Sequence, residues 1–130
     1  MKLALDTNAY SALQLGNAPK LKELVDQAEL LALPFAVDAE LRAGFSKGQR
    51  ATDNFAKLQL FQSLDRVKIL WPNAYTNELY AQIWTELSKK GKPVPTNDVW
   101  IAAVCIQNQF SLATLDAHFN SIPLLHIFSF

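Results

Sequence analysis

Short, mostly apolar runs alternate along this chain with longer stretches in which apolar residues recur at helical spacing. The short runs are Leu3–Leu5, Leu30–Leu33, Val67–Leu70, Ser111–Ala113 and Leu124–Phe128. Runs of that length predict strands, and the first, Leu3–Leu5, reads as one buried on both faces. Between the first two, Thr7 to Leu15 predicts a short helix stopping near Gly16. Pro19 suits the first turn of a second helix, where Leu21, Leu24, Val25 and Ala28 keep helical spacing. Pro34 closes the second strand, and Asp38 caps or charges the start of a helix running to about Lys47, with Val37, Leu41 and Phe45 on one stripe. The Gly48 region predicts a turn, and Phe55, Leu58, Phe61 and Leu64 mark the next helix. After the third strand and Pro72, Tyr75, Leu79, Ile83 and Leu87 make Asn73–Lys89 a long amphipathic helix. Lys89 to Pro95 is a loop. Asp98 to Gln109 is apolar almost all round, as expected of a helix buried in the domain. Strands alternating with helices predict an α/β fold: one domain over residues 1–130, with a central, mostly parallel sheet of four to five strands flanked by helices.

Composition narrows the class. At 130 residues, 50% hydrophobic and 18% charged, the chain is globular and long enough for a full core. Its one cysteine, Cys105, has no intrachain partner, which excludes a disulfide framework and sets a cytoplasmic, reducing location as the expectation. No signal peptide is expected. No apolar run approaches the roughly 18 residues of a membrane span, so no membrane partner is expected. Twelve Lys and Arg balance twelve Asp and Glu, which at face value argues against a strongly nucleic-acid-binding surface. That balance changes if four acids are set aside as metal ligands, because eight acids then face twelve bases on the rest of the molecule.

Four acids stand at the ends of predicted elements. Asp6 follows the first strand, Glu40 lies early in the helix after the second, Asp98 starts the most buried helix, and Asp116 follows the fourth strand. Ligands of open parallel sheets bind at the carboxyl ends of strands. If the first and fourth strands are neighbours, all four acids gather along that edge. Carboxylates brought together repel and raise one another's pKa, and a divalent cation relieves the repulsion. Oxygen-only ligands suit Mg²⁺ or Mn²⁺ rather than zinc. Each residue also has an ordinary reading: Asp6 as a turn residue, Asp98 beside Asn97 as a helix cap, Glu40 as a solvated helix residue, Asp116 as a loop acid. Thr7 and Thr114 satisfy backbone groups or support the acids. Asp38 has an ion-pair spacing to Arg42. His118 and His126 read as structural or surface residues, and Trp71, Trp84 and Trp100 as core or interface. The Lys89–Lys92 run reads as a solvated loop able to meet phosphates.

Taken in order, four motifs resemble those of the PIN-domain family, and more narrowly its VapC-type ribonuclease toxins. They are Leu-Asp-Thr-Asn at 5–8, Ala-Glu-Leu-Arg-Ala-Gly at 39–44, Asn-Asp-Val-Trp-Ile-Ala-Ala at 97–103 and Thr-Leu-Asp-Ala-His-Phe at 114–119. The fourth departs from the family's usual Val-Thr-Asx-Asx by reading Ala-Thr-Leu-Asp, and Trp100 is bulky beside Asp98. Its ring either narrows the pocket mouth or packs beneath it.

The resemblance implies an endoribonuclease dependent on one or two Mg²⁺ or Mn²⁺ ions, with Asp6, Glu40, Asp98 and Asp116 as catalytic metal ligands and Thr7 and Thr114 in support. It implies an RNA substrate, a homodimer, and a cognate antitoxin that inserts a cationic side chain among the acids. Three rivals stand beside it. One is a PIN nuclease of RNA processing or DNA strands, and another is a catalytically silent PIN-like domain that binds RNA or protein. The third, an aspartyl phosphatase, commonly wants a second Asp two residues after the first, where this chain has Asn8.

Overall fold

An apolar run with no polar alternation has to be covered on both faces, and Leu3, Ala4 and Leu5 are each 0% exposed. In the computed structural model, which describes residues 1–130, they lie in β1 (Lys2–Leu5), the central strand of a single sheet. On one side stand β2 (Leu30–Pro34) and then β3 (Val67–Leu70). On the other stand β4 (Ser111–Ala113) and then β5 (Ile127–Phe128). The order is β3-β2-β1-β4-β5, and every pairing is parallel. Ala4 sits level with Ala32 on one side and Leu112 on the other. Small Ala4 and Ala32 in the middle of the sheet leave room for helix side chains to approach closely.

Six helices cover this sheet: α1 (Thr7–Leu15), α2 (Pro19–Gln27), α3 (Phe35–Lys47), α4 (Ala51–Gln62), α5 (Ala74–Lys89) and α6 (Thr96–Asn108). Gly16 ends α1 in the left-handed region at φ 72°, its N–H reaching the carbonyls of Ala12 and Leu13. Val99 and the continuous run Ile101–Cys105 of α6 are buried, with Cys105 at 0% exposure and its thiol pKa pushed up by burial. α5 packs antiparallel to α6, the Thr76 hydroxyl meeting the Gln107 side chain. No helix is long and apolar enough to cross a membrane.

Several expectations shift in detail. Pro34 belongs to β2 and does not merely close it, and α3 starts directly after it at Phe35. Asp38 therefore lies in the first turn of α3 and does not cap it; it pairs with Arg42 at 3.0 Å and accepts from Gln62 at 2.6 Å. α6 likewise starts at Thr96, after Pro95, and not at Asp98. The apolar run Leu124–Phe128 is a strand only at Ile127 and Phe128, since Leu124 turns outward at φ 67° with 83% exposure. A 3₁₀ helix at Ala117–Ser121 was not expected from the pattern. Trp71 and Trp84 are not core residues, being 65% and 57% exposed. Trp100 packs between Phe35 and Tyr80.

Candidate metal centre

The chain runs outward from β1 to β3 on one side of the sheet and then returns to β4 on the other. The β1/β4 boundary is thus the point where strand order reverses, and a crevice opens beyond the carboxyl ends of strands at such a point. Asp6 follows β1 there, its N–H continuing the ladder to the Ala113 carbonyl at 3.3 Å. Its carboxylate is 6% exposed and serves two neighbours. Oδ1 accepts from the Ala9 N–H at 2.7 Å and so caps α1. Oδ2 accepts the Thr114 hydroxyl.

The other three acids reach the same crevice. A cavity of about 150 Å³ is lined by Asp6, Glu40, Asp98 and Asp116, together with Thr7, Asn8, Ile101 and Phe119. Glu40 projects from α3 and accepts the Thr7 hydroxyl at 3.2 Å. Asp98 comes from the first turn of α6. Asp116 lies two residues beyond Thr114, whose hydroxyl accepts the Asp116 N–H at 2.9 Å, and its Oδ1 accepts the His118 N–H at 2.9 Å. Thr114 thus supports both Asp6 and Asp116, and Thr7 supports Glu40. A larger cavity of about 580 Å³, between α5 and the segment around Leu124, is mostly apolar and contains none of these acids.

Thr114 is 2% exposed, so its hydroxyl has no water to replace either partner. Thr114→Val keeps the shape but leaves the Asp116 N–H and an Asp6 oxygen unmatched. The expected cost is about 2 kcal/mol, read as a lower urea midpoint with an unchanged slope. An unchanged midpoint would show that these hydrogen bonds carry no net stability.

Electrostatically the crevice is short of positive charge. Burial is the main cause raising the Asp6 pKa; Thr114 and the Ala9 N–H oppose it, and Asp116 and Asp98 add to it. Glu40 is raised by burial and by Asp98 and Asp6, against hydrogen bonds from Thr7 and Asn97. Asp98 is raised by burial and by Asp116, against His118. No lysine or arginine is ion-paired with any of the four acids. A converging set of carboxylate oxygens, repelling one another and without a lysine or arginine partner, fits a hard divalent ion.

Two site features were not expected. His118 is not isolated: its Nδ1 lies 3.3 Å from Asp98 and 3.3 Å from Asp116. Asn8 lines the cavity, a place consistent with its position one residue after Thr7 in the first motif. Trp100 neither narrows the mouth nor floors it, since it lies outside the lining. His126 is remote from the acids, bonded to Ser111 at the other end of β4.

Comparison with known proteins identifies the family and the fold. The model of the PIN domain family matches residues 3–125. Ribonuclease VapC2 of Rickettsia felis is 34% identical over 104 residues, covering 79% of this chain and 76% of that protein. The crystal structure of VapBC2 from Rickettsia felis bound to a DNA fragment from their promoter superposes with a TM-score of 0.86 at 29% identity, over 100% of this chain and 99% of that one. The structure of VapBC-1 from nontypeable Haemophilus influenzae gives a TM-score of 0.87 at 28% identity, over 99% and 98%.

Proposed function

Because the chain belongs to the PIN domain family, we propose that it is a Mg²⁺- or Mn²⁺-dependent endoribonuclease toxin of the VapC kind, inhibited by a cognate antitoxin. The observation that carries this reading is the convergence of Asp6, Glu40, Asp98 and Asp116 on one small cavity without a lysine or arginine partner. The identity to a protein named ribonuclease supports the RNA substrate.

Asp6, Asp98, Glu40 and Asp116 would hold one or two divalent ions. When bound, such an ion supplies Lewis acidity, making a water nucleophilic near neutral pH and offsetting charge that builds on the scissile phosphate. The chain's own residues do the positioning. The cap to Ala9 and the Thr114 hydroxyl fix both oxygens of Asp6, and Thr7 fixes Glu40. Preset ligands spare the reorganisation that mobile carboxylates would need. No side-chain nucleophile is required, and the buried Cys105 supplies none.

The antitoxin reading follows from the same electrostatics. An Arg or Lys side chain entering the crevice satisfies the carboxylates as a metal does, with charge-assisted hydrogen bonds. The relatives solved as VapBC complexes support this partner. A homodimer in the cytoplasm completes the proposal. Exposed Leu60, Trp71 and Trp84 offer apolar surface for subunit contact, and a lone free cysteine suits a reducing compartment. The tail residues Phe128 and Phe130 serve less well, because both pack against the core.

The test is cleavage of defined RNAs by the purified chain, followed by sequencing of the products. Cuts at discrete phosphodiester bonds are expected with Mg²⁺ or Mn²⁺, and none after EDTA treatment. RNA binding without cleavage under any divalent ion would replace this reading with a silent binding domain. Cleavage that survives EDTA would remove the metal from it.

A further inference from the structure

The four acids account for the oxygen donors of the crevice but not for His118, which stands over it on the 3₁₀ helix after β4. That helix is anchored by Phe119, 2% exposed and part of the cavity wall. The anchor presents the neighbouring imidazole to Asp98 on one side and Asp116 on the other. Nδ1 lies 3.3 Å from Asp98 Oδ2 and 3.3 Å from Asp116 Oδ1. These are long for hydrogen bonds, which centre near 2.9 Å for N–H donors. Neighbouring ligands on an octahedral ion with bonds of about 2.1 Å stand about 3.0 Å apart, close to the separations seen. The three residues each offer a donor atom, and all three lie within 4.8 Å of one another. One coordination sphere spans that distance.

We infer that His118 is itself a ligand, giving one metal position a mixed set of Asp98, Asp116 and an imidazole nitrogen. This rests on the metal-dependent reading above and deepens it. Its consequence is metal choice. Mg²⁺ favours oxygen ligands and holds its waters, whereas imidazole is a better ligand for transition metals, and Mn²⁺ precedes the others of that series while accepting both donor types. A nitrogen in the shell therefore tilts this position from Mg²⁺ towards Mn²⁺. Asp6 and Glu40, held by the Thr114 and Thr7 hydroxyls, offer an ion oxygen donors alone.

The chain has only two histidines, and His126 lies at the far end of β4. Pulsed EPR of Mn²⁺ bound to the full chain therefore reads the ligand directly. Coupling to a coordinated ¹⁴N is expected, converting to ¹⁵N coupling when histidine alone is labelled. It should vanish in His118→Ala and persist in His126→Ala. By calorimetry, His118→Ala should lower Mn²⁺ affinity roughly tenfold or more, and Mg²⁺ affinity far less. His118→Gln, which retains bulk and offers an oxygen, guards against a change in folding and should bind both ions without nitrogen coupling. Mn²⁺ bound tightly to the unaltered chain with no histidine coupling would overturn the inference and leave the metal nuclease standing. No Mn²⁺ or Mg²⁺ binding at all would overturn both.

Discussion

Asp6→Asn lowers RNA cleavage in Mg²⁺ by about 10³-fold or more, equivalent to about 4 kcal/mol of lost transition-state stabilisation, with the fold intact. Asparagine keeps an Oδ1 able to accept from the Ala9 N–H and so preserves the cap on α1. Its amide can donate to the Thr114 hydroxyl oxygen in place of accepting from it. What it removes is the negative charge at the crevice's most buried acid. Asp6→Ala is a poorer experiment, since it also discards a helix cap worth about 1 kcal/mol. Single-turnover cleavage rates, with melting curves on the same preparations, separate the two effects. A variant that cuts within about tenfold of the unaltered chain would remove Asp6 from the catalytic set.

Removing metal makes the protein's stability depend on pH with an unusual sign. Asp6, Glu40 and Asp98 all have pKa values raised in the folded state, chiefly by burial. The folded chain therefore holds more protons than the unfolded one between the ordinary carboxylate range, about 4, and the raised values. Stability from these groups is greatest below that range and is lost as pH rises through the folded pKa values. The informative quantity is the difference from Asp6→Asn, which isolates the crevice from the remaining acids. Without metal, the variant should gain on the unaltered chain as pH rises above the ordinary carboxylate range, about 4, and be the more stable at pH 7. A divalent ion reverses the order. At a hundredfold excess over its dissociation constant it contributes about 2.7 kcal/mol, or about 10 °C in Tm for a chain of this size. The rise should be smaller at pH 5, where protons compete for the same oxygens. Equal metal-induced rises at pH 5 and pH 7 would contradict the buried-carboxylate account.

The elements that read cleanly from sequence were those whose ends carry a local signal. Thr7–Leu15 ends at a glycine in the left-handed region, and Val67–Leu70 is bounded by Pro72. The starts of α3 and α6 were misplaced for one shared reason. Both follow a proline, Pro34 or Pro95, that has no side-chain cap to offer. Searching for polar caps moved the starts to Asp38 and Asp98, two to three residues late. Leu124–Phe128 failed as a strand because hydrophobicity does not say where an edge strand finds its partner; only Ile127 and Phe128 meet β4. The four acids were legible because parallel α/β topology sends strand ends to one edge. His118 was not, since its contact with Asp98 spans 20 residues and depends on a 3₁₀ turn with no apolar period.

The hydrogen bond between Asp6 and Thr114 closes a loop of 108 residues. A ribosome adding about 5–20 residues per second needs roughly 5–20 s to travel between them. Throughout that interval β1 and α1 exist without β4, and the central carboxylate faces solvent with half its setting missing. Local helix formation takes about a microsecond and cannot hasten this step. The nascent chain therefore carries Asp6 without the crevice that the other three acids complete. A long-range strand pairing, more than any local element, sets the moment at which the acidic crevice first exists.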